Sequence, residues 1–215
     1  MCIRDRHPRV HRARVRPQDV SVPLQELPGA PDVSESPLRD LGEVSPVGEA
    51  VSNFTEAAYK AALATLAEME SLGITADLAH LSAAAIDDVL ALATRPTVVS
   101  HTGVRGTCDN ARNLSDDQIR RIAAGGGVVG IGFWAVAACG LAPADIARAI
   151  DHVVRLVGAE HAALGSDYDG ATTVGFDVSA LPALTQALLD AGLTETEIRR
   201  VLGENVLRLL AGNLP

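Results

Sequence analysis

The sequence predicts an α/β protein in which about four parallel strands are covered by helices, preceded by an irregular amino-terminal tail. Three observations predict it. Between Gly73 and Gly170, short apolar runs alternate with longer Ala- and Leu-rich segments of helical period, the pattern of a parallel sheet with crossover helices. Three runs, GITADLAH (Gly73 to His80), TVVSHTG (Thr97 to Gly103) and AALGSDYDG (Ala162 to Gly170), each end on a side chain able to bind a metal or move a proton. Before residue 50, Pro8, Pro17, Pro23, Pro28, Pro31, Pro37 and Pro46 prevent either period from being sustained.

Composition sets the outer bounds. A chain of 215 residues with 47% hydrophobic and 21% charged residues can bury one good core. The formal charge of -9 argues against nucleic acid as a partner, because phosphate neutralisation needs clustered Lys and Arg. No apolar run approaches the roughly 20 residues that span a bilayer. Met1 to Arg16 is Arg-rich, but the apolar stretch of a signal peptide does not follow it, so a cytoplasmic setting is the default expectation. Cys2, Cys108 and Cys139 are odd in number, widely spaced and without a CxxC, which predicts reduced thiols rather than a disulfide framework. Residues 1–50 read as a Pro-rich tail, and residues 51–215 as the folded part. Arg4, Arg6, Arg9, Arg12, Arg14 and Arg16 give that tail a basic, solvated arm, and its opening MCIRDR resembles translated adapter sequence, as expected of an artefactual start.

In order, Asn53 with Glu56 forms a capping box that opens an Ala-rich helix ending near Leu72, at Gly73. Ile74 to Leu78 is the first strand. Ser82 caps a helix to about Ala93, which Pro96 terminates, and Thr97 to Ser100 is the second strand. A polar loop from Thr102 to Leu114 leads to a second capping box, Ser115 with Gln118, and a helix to about Ala124. Gly125, Gly126 and Gly127 turn the chain into a third strand, Val128 to Phe133. Pro143 begins a helix to Val157, and Ala162 to Gly165 is the fourth strand. Helices at Ala180 to Ala191 and Glu195 to about Ala211 close the chain, the last capped by Thr194 with Glu197. Four such strands make an open sheet or the carboxyl-terminal half of a TIM-like (β/α) barrel, since a closed eight-stranded barrel takes ~250 residues.

Parallel α/β sheets collect their chemistry at the carboxyl ends of the strands, so His80, His101 and Asp167 are expected on one face. His80 and His101 are one strand-helix-strand repeat apart and fall at equal height on neighbouring strands, a placement that suits two imidazoles on one metal. Arg112 closes the loop after His101, where a guanidinium can clamp a substrate carboxylate, although its position alone equally suits a surface residue. Asp167 is the candidate for ligation or proton transfer, and Asp169 with Gly170 reads as turn chemistry. Cys108 near His101 lacks a third group to orient a nucleophilic pair. The triple glycine precedes a strand, the wrong context for cradling phosphate. His7 and His11 fall in the tail, His152 in mid-helix and His161 at the opposite strand end.

The strings DLAH, SHTG followed by ARN and a capped helix, GGGVVGIGF, LGSDYDG and LGENVLRLL, in this order over roughly Ala64 to Leu210, resemble the carboxyl-terminal half of the membrane dipeptidase (renal dipeptidase-like) zinc metallopeptidases. The resemblance implies a TIM-like barrel with two zinc ions that hydrolyses dipeptides, some members of the family acting on D-amino-acid dipeptides or β-lactams. By the same resemblance His80 and His101 bind one zinc, Arg112 grips the substrate's terminal carboxylate, and Asp167 meets the substrate amine and the catalytic water. The family's His-x-Asp pair, its bridging glutamate and its oxyanion histidine have no recognisable counterpart here. The expectation is therefore a zinc dipeptidase fragment with at most one partial metal site, prone to self-association through its unpaired sheet edges. The alternative is a non-catalytic half-barrel kept as an interaction module.

Overall fold

The computed structural model describes residues 61–213; the predicted tail and the Asn53 capping box lie outside the described residues. Helix α1 is followed from residue 61 to residue 71, and the chain turns at Gly73 in the left-handed conformation (φ 73°). Helix α2 (Ala83–Leu92) is capped by Ser82, whose hydroxyl accepts the Ala85 amide. Strand β1 (Val98–Thr102) leads through a loop to α3 (Asp116–Ala124), opened by the predicted capping box: Ser115 accepts the Gln118 amide while the Gln118 side chain accepts the Ser115 amide. Strand β2 (Val128–Ile131), the short helix α4 (Ala135–Ala138), helix α5 (Pro143–Val157) and strand β3 (Ala162–Leu164) follow. Helices α6 (Leu181–Asp190), α7 (Glu195–Arg199) and α8 (Asn205–Asn213) complete the described chain.

The three strands pair in parallel in the order β1-β2-β3, with Val99 opposite Val129 and Val129 opposite Ala162. All four residues of the central strand are buried, as expected for a strand covered on both faces. Ile119 and Ile122 of α3, Ile146, Ile150 and Val153 of α5, and Leu184 and Leu188 of α6 join Val99, Val129 and Ile131 in one apolar core. Alternation of strand and helix produces the α/β class and the half-barrel arrangement that the sequence predicts.

Three expectations are corrected. The predicted first strand, Ile74 to Leu78, reduces to a single parallel bridge between Asp77 and Val98, so among the described residues three strands stand where four were expected. Its ladder consists of Val98 N–H to the Ala76 carbonyl (3.0 Å) and Leu78 N–H to the Val98 carbonyl (2.8 Å). The next amide of β1, that of Ser100, donates instead to the Asp77 carboxylate (3.0 Å), and the chain turns away at His80 with φ 67°. A side chain thus takes the place of the next rung.

The second correction concerns the last helix, predicted to be continuous from Glu195. A π turn, Arg200–Glu204, with Gly203 outside helical geometry, separates α7 from α8. The kink seats Asn205, 2% exposed, where its amide donates to the carbonyls of Ala159 (2.6 Å) and Ala162 (2.8 Å) at the entry to β3. This anchoring gives the LGEN stretch a structural reason.

Third, Cys108 and Cys139 form a disulfide in place of the expected free thiols. The loop after β1 folds back across α4, an unpredicted helix whose end Cys139 closes in the left-handed conformation, and brings the two Cα atoms to 5.3 Å. Sequence spacing carries no record of that fold-back.

Two outcomes are expected from these contacts. Asn205→Ala leaves two carbonyls unpaired in a buried position and should lower stability by about 2 kcal/mol in denaturant unfolding. The Thr194 amide, then its hydroxyl, hold the Glu197 carboxylate below the usual glutamate range. Its contribution is present above the ordinary glutamate pKa and is lost as pH falls through the lowered folded value, so Glu197→Gln should flatten the acid limb of a stability-versus-pH curve.

Candidate functional site

His80, His101 and Asp167 leave the sheet at one end, as the strand pattern predicts. His80 lies in the turn after the Asp77 bridge, and Asp167 follows β3; both adopt positive φ, 67° and 55°. His and Asp tolerate this region better than most residues, and such turns at strand ends cost of order 1–3 kcal/mol unless the surroundings hold them. His101 lies within β1. The β1–β2 register shifts between Val99 and Thr102, and this irregularity lets Ser100 and His101, on opposite faces of a regular strand, touch through their side chains.

The imidazoles of His80 and His101 meet Nε2 to Nε2 at 2.8 Å, with rings edge-on at 4.7 Å between centroids. Asp167 Oδ2 stands 4.0 Å from His101 Nε2. The side chains of His101 and Asp167 are 16% and 17% exposed, whereas His80 is exposed, so the pair opens to solvent on the His80 side. His101 Nδ1 lies 2.9 Å from the Ser100 hydroxyl. With Nδ1–H donating to that oxygen, Nε2 presents its lone pair outward, the tautomer that a metal ligand needs.

These donors fit part of a metal site. Two nitrogens ~2.0–2.1 Å from one tetrahedral ion lie roughly 3.3 Å apart, so the rings need to part by about 0.5 Å to admit it. Among the described residues, no group of three His, Cys, Asp or Glu side chains is drawn together closely enough to hold a metal by itself. The pair supplies two ligands, and a catalytic zinc ordinarily takes three from protein.

Arg112 stands beside this pair. Its guanidinium lies over the ring of Trp134, 5.8 Å from the centroid, and its Nη2 donates a long 3.5 Å bond to the His101 carbonyl. Trp134 also tilts against His101, with ring centroids 5.9 Å apart. Sequence reading missed Trp134, although it is the only tryptophan and directly follows the third apolar run at its carboxyl end. The Arg112 loop is held from below: Asn113, 3% exposed, donates to the carbonyls of Cys108 (2.7 Å) and Ala137 (3.0 Å), and Asn110 Oδ1 accepts the Arg112 amide (2.9 Å).

The remaining candidates separate cleanly. Asp169 sits in the turn closed by the Gly170 amide on the Asp167 carbonyl (3.1 Å), as predicted. Cys108 is committed to its disulfide and offers no nucleophile. His152 pairs with Asp116 at 2.7 Å, and His161 Nδ1 bonds the Gly127 carbonyl at 2.8 Å, both away from the site. Tyr168, next to Asp167, packs its ring against Phe133. Burial, and then the charge of Asp177, push its hydroxyl pKa up, which keeps it neutral at physiological pH.

Comparison with known proteins bears on the family and the fold. The model of the membrane dipeptidase family (peptidase family M19) matches residues 60–212. A solved dipeptidase AC, described as a metallopeptidase of family M19, is 32% identical with a TM-score of 0.66, over 70% of this chain and 46% of its own. A metallopeptidase from Rhodobacter sphaeroides, solved with a phosphinate mimic of the dipeptide L-Ala-D-Ala, is 32% identical with a TM-score of 0.65 and the same coverage. An amidohydrolase from Pseudomonas aeruginosa is 27% identical with a TM-score of 0.62, over 70% of this chain and 55% of its own. The chain thus spans about half the length of these structures, 46% to 55% of each. By its family match over residues 60–212 and by these structural likenesses, the chain belongs to the membrane dipeptidase family of metallopeptidases.

Proposed function

We propose that this chain provides the carboxyl-terminal half of a zinc-dependent dipeptidase active site, in which His80 and His101 hold one metal ion and the remaining ligands come from polypeptide outside the described residues. The observation that carries the reading is the facing Nε2 pair of His80 and His101, 2.8 Å apart, with Asp167 Oδ2 beside it. A bound zinc ion would supply Lewis acidity and a nucleophilic hydroxide at neutral pH.

The chain's own residues do the rest. Arg112 receives the terminal carboxylate of the dipeptide through two parallel N–H bonds, with the face of Trp134 fixing the plane of its fork. Asp167 accepts a hydrogen bond from the substrate ammonium and takes the proton of the attacking water on its carboxylate. Ser100 keeps the His101 ring in the orientation that presents Nε2. The binding of a dipeptide mimic by the Rhodobacter relative supports this substrate class. The exposed apolar residues Leu72 and Ile74 lie next to the single-bridge edge of the sheet, and we extend the proposal to self-association through that edge.

Zinc titration tests the metal reading. The chain should bind zinc more weakly than a three-ligand catalytic site, and His80→Ala or His101→Ala should abolish what it binds; retention of stoichiometric zinc by both variants after dialysis against a mild chelator would overturn it. In a longer protein that carries the remaining ligands, Arg112→Lys should raise KM for dipeptides by at least about tenfold, because lysine cannot reproduce the bidentate fork. An unchanged KM returns Arg112 to a surface role. Light scattering across a concentration series should show mass rising above the monomer, and a monomer at every concentration would refute self-association.

A further inference from the structure

The Asp77 carboxylate in the DLAH stretch has no part in the metal reading, yet one of its oxygens touches both segments that present the histidines. Asp77 Oδ1 accepts the amide of Ala79 at 3.0 Å and the amide of Ser100 at 3.0 Å. Ala79 immediately precedes His80, and Ser100 immediately precedes His101. We propose that Asp77 is a positioning residue whose carboxylate brackets these two segments and sets the separation of the two imidazoles. The metal part of this inference rests on the proposed zinc site, whereas the bracket itself stands on the backbone geometry.

Both amides reach one oxygen, so each histidine is separated from the shared anchor by a single peptide unit. The bond to Ala79 alone would be an ordinary Asx turn. The bond to Ser100 is different in kind, because it joins residues 23 apart in sequence and replaces the ladder rung where the Asp77–Val98 bridge ends. On the opposite face Leu78, 1% exposed, is fixed in the core and bonded to the Val98 carbonyl at 2.8 Å. The segment is therefore held from two sides: Leu78 sets its depth and Asp77 sets its distance from β1. Without the carboxylate, the turn at His80 keeps one ladder partner and, apart from the His80–His101 contact that the bracket is proposed to set, loses its side-chain bond to β1. Asp77 itself is exposed, so removing its carboxylate opens no cavity.

Three substitutions separate positioning from general stability. Asp77→Asn retains an acceptor oxygen at the same reach and should behave as wild type. Asp77→Ala removes the bracket, and Asp77→Glu moves it outward by one methylene. Two measurements follow on the intact chain. Nitrogen-15 NMR of the imidazoles, without metal, reads the His80–His101 hydrogen bond; Asp77→Ala and Asp77→Glu should abolish its signature, and Asp77→Asn should keep it. Competition between the chain and a chelator, with zinc alone as the probe, should show a 10- to 100-fold weaker affinity for Asp77→Ala and Asp77→Glu, with Asp77→Asn restored. If Asp77→Ala fails to fold, Asp77→Glu carries the test. Wild-type imidazole signals and zinc affinity in both Asp77→Ala and Asp77→Glu would overturn the proposal, and so would an Asp77→Asn protein as impaired as Asp77→Ala. Should His80→Ala leave zinc affinity unchanged, the zinc reading fails, while the imidazole signals still decide for or against the bracket.

Discussion

Parallel pairing of β1, β2 and β3 is the constraint on which the site depends. Strands that run the same way and pair with Val99, Val129 and Ala162 in one row must also end at one height. The residues just past those ends are then brought within a few ångströms of each other without any local sequence relation between them. Helices α3 and α5 pack against the sheet, with α6 behind α5, and the candidate residues gather at the rim where the strands stop. Two local devices turn these side chains toward a common centre. The positive φ of His80 and Asp167 does this at two positions, and the register shift before Thr102 does it at the third.

A second layer holds these devices in place. Ser100 meets the His101 ring, Asp77 ties the two histidine segments together, and Trp134 lies between His101 and Arg112. The Arg112 loop in turn rests on Asn113, whose amide hydrogens satisfy carbonyls of both the loop and α4. The histidine pair and the Arg112 loop therefore share a common wall.

Much of this was legible in the sequence because it follows from period and punctuation. Ser82, Ser115 and Thr194 cap their helices as their spacing to later residues indicates, and His80, His101 and Asp167 converge because apolar runs of strand length end on them. Other features depend on contacts distant in sequence. Nothing in Ile74 to Leu78 indicates that a side chain of the same run displaces its ladder. The helical period from Glu195 continues through Gly203, and only the seat of Asn205 against β3 explains the break. Trp134 lies one residue beyond an apolar run that read as core, and its contacts with Arg112 and His101 belong to the tertiary fold. The pairing of Cys108 with Cys139 was hidden for the same reason, since thiols 31 residues apart meet only when α4 turns back on the loop.

That disulfide closes a covalent ring around the Arg112 side of the candidate site. The chain from Cys108 to Cys139 contains Arg112, all of α3 and β2, and Trp134. In the chain-entropy picture, closing a ring of this size removes unfolded-state freedom equivalent to roughly 3–4 kcal/mol. A protease that cut one peptide bond between the two cysteines would leave both pieces tethered. The guanidinium and the indole beneath it would then remain parts of one covalent molecule even after the backbone joining them had been severed.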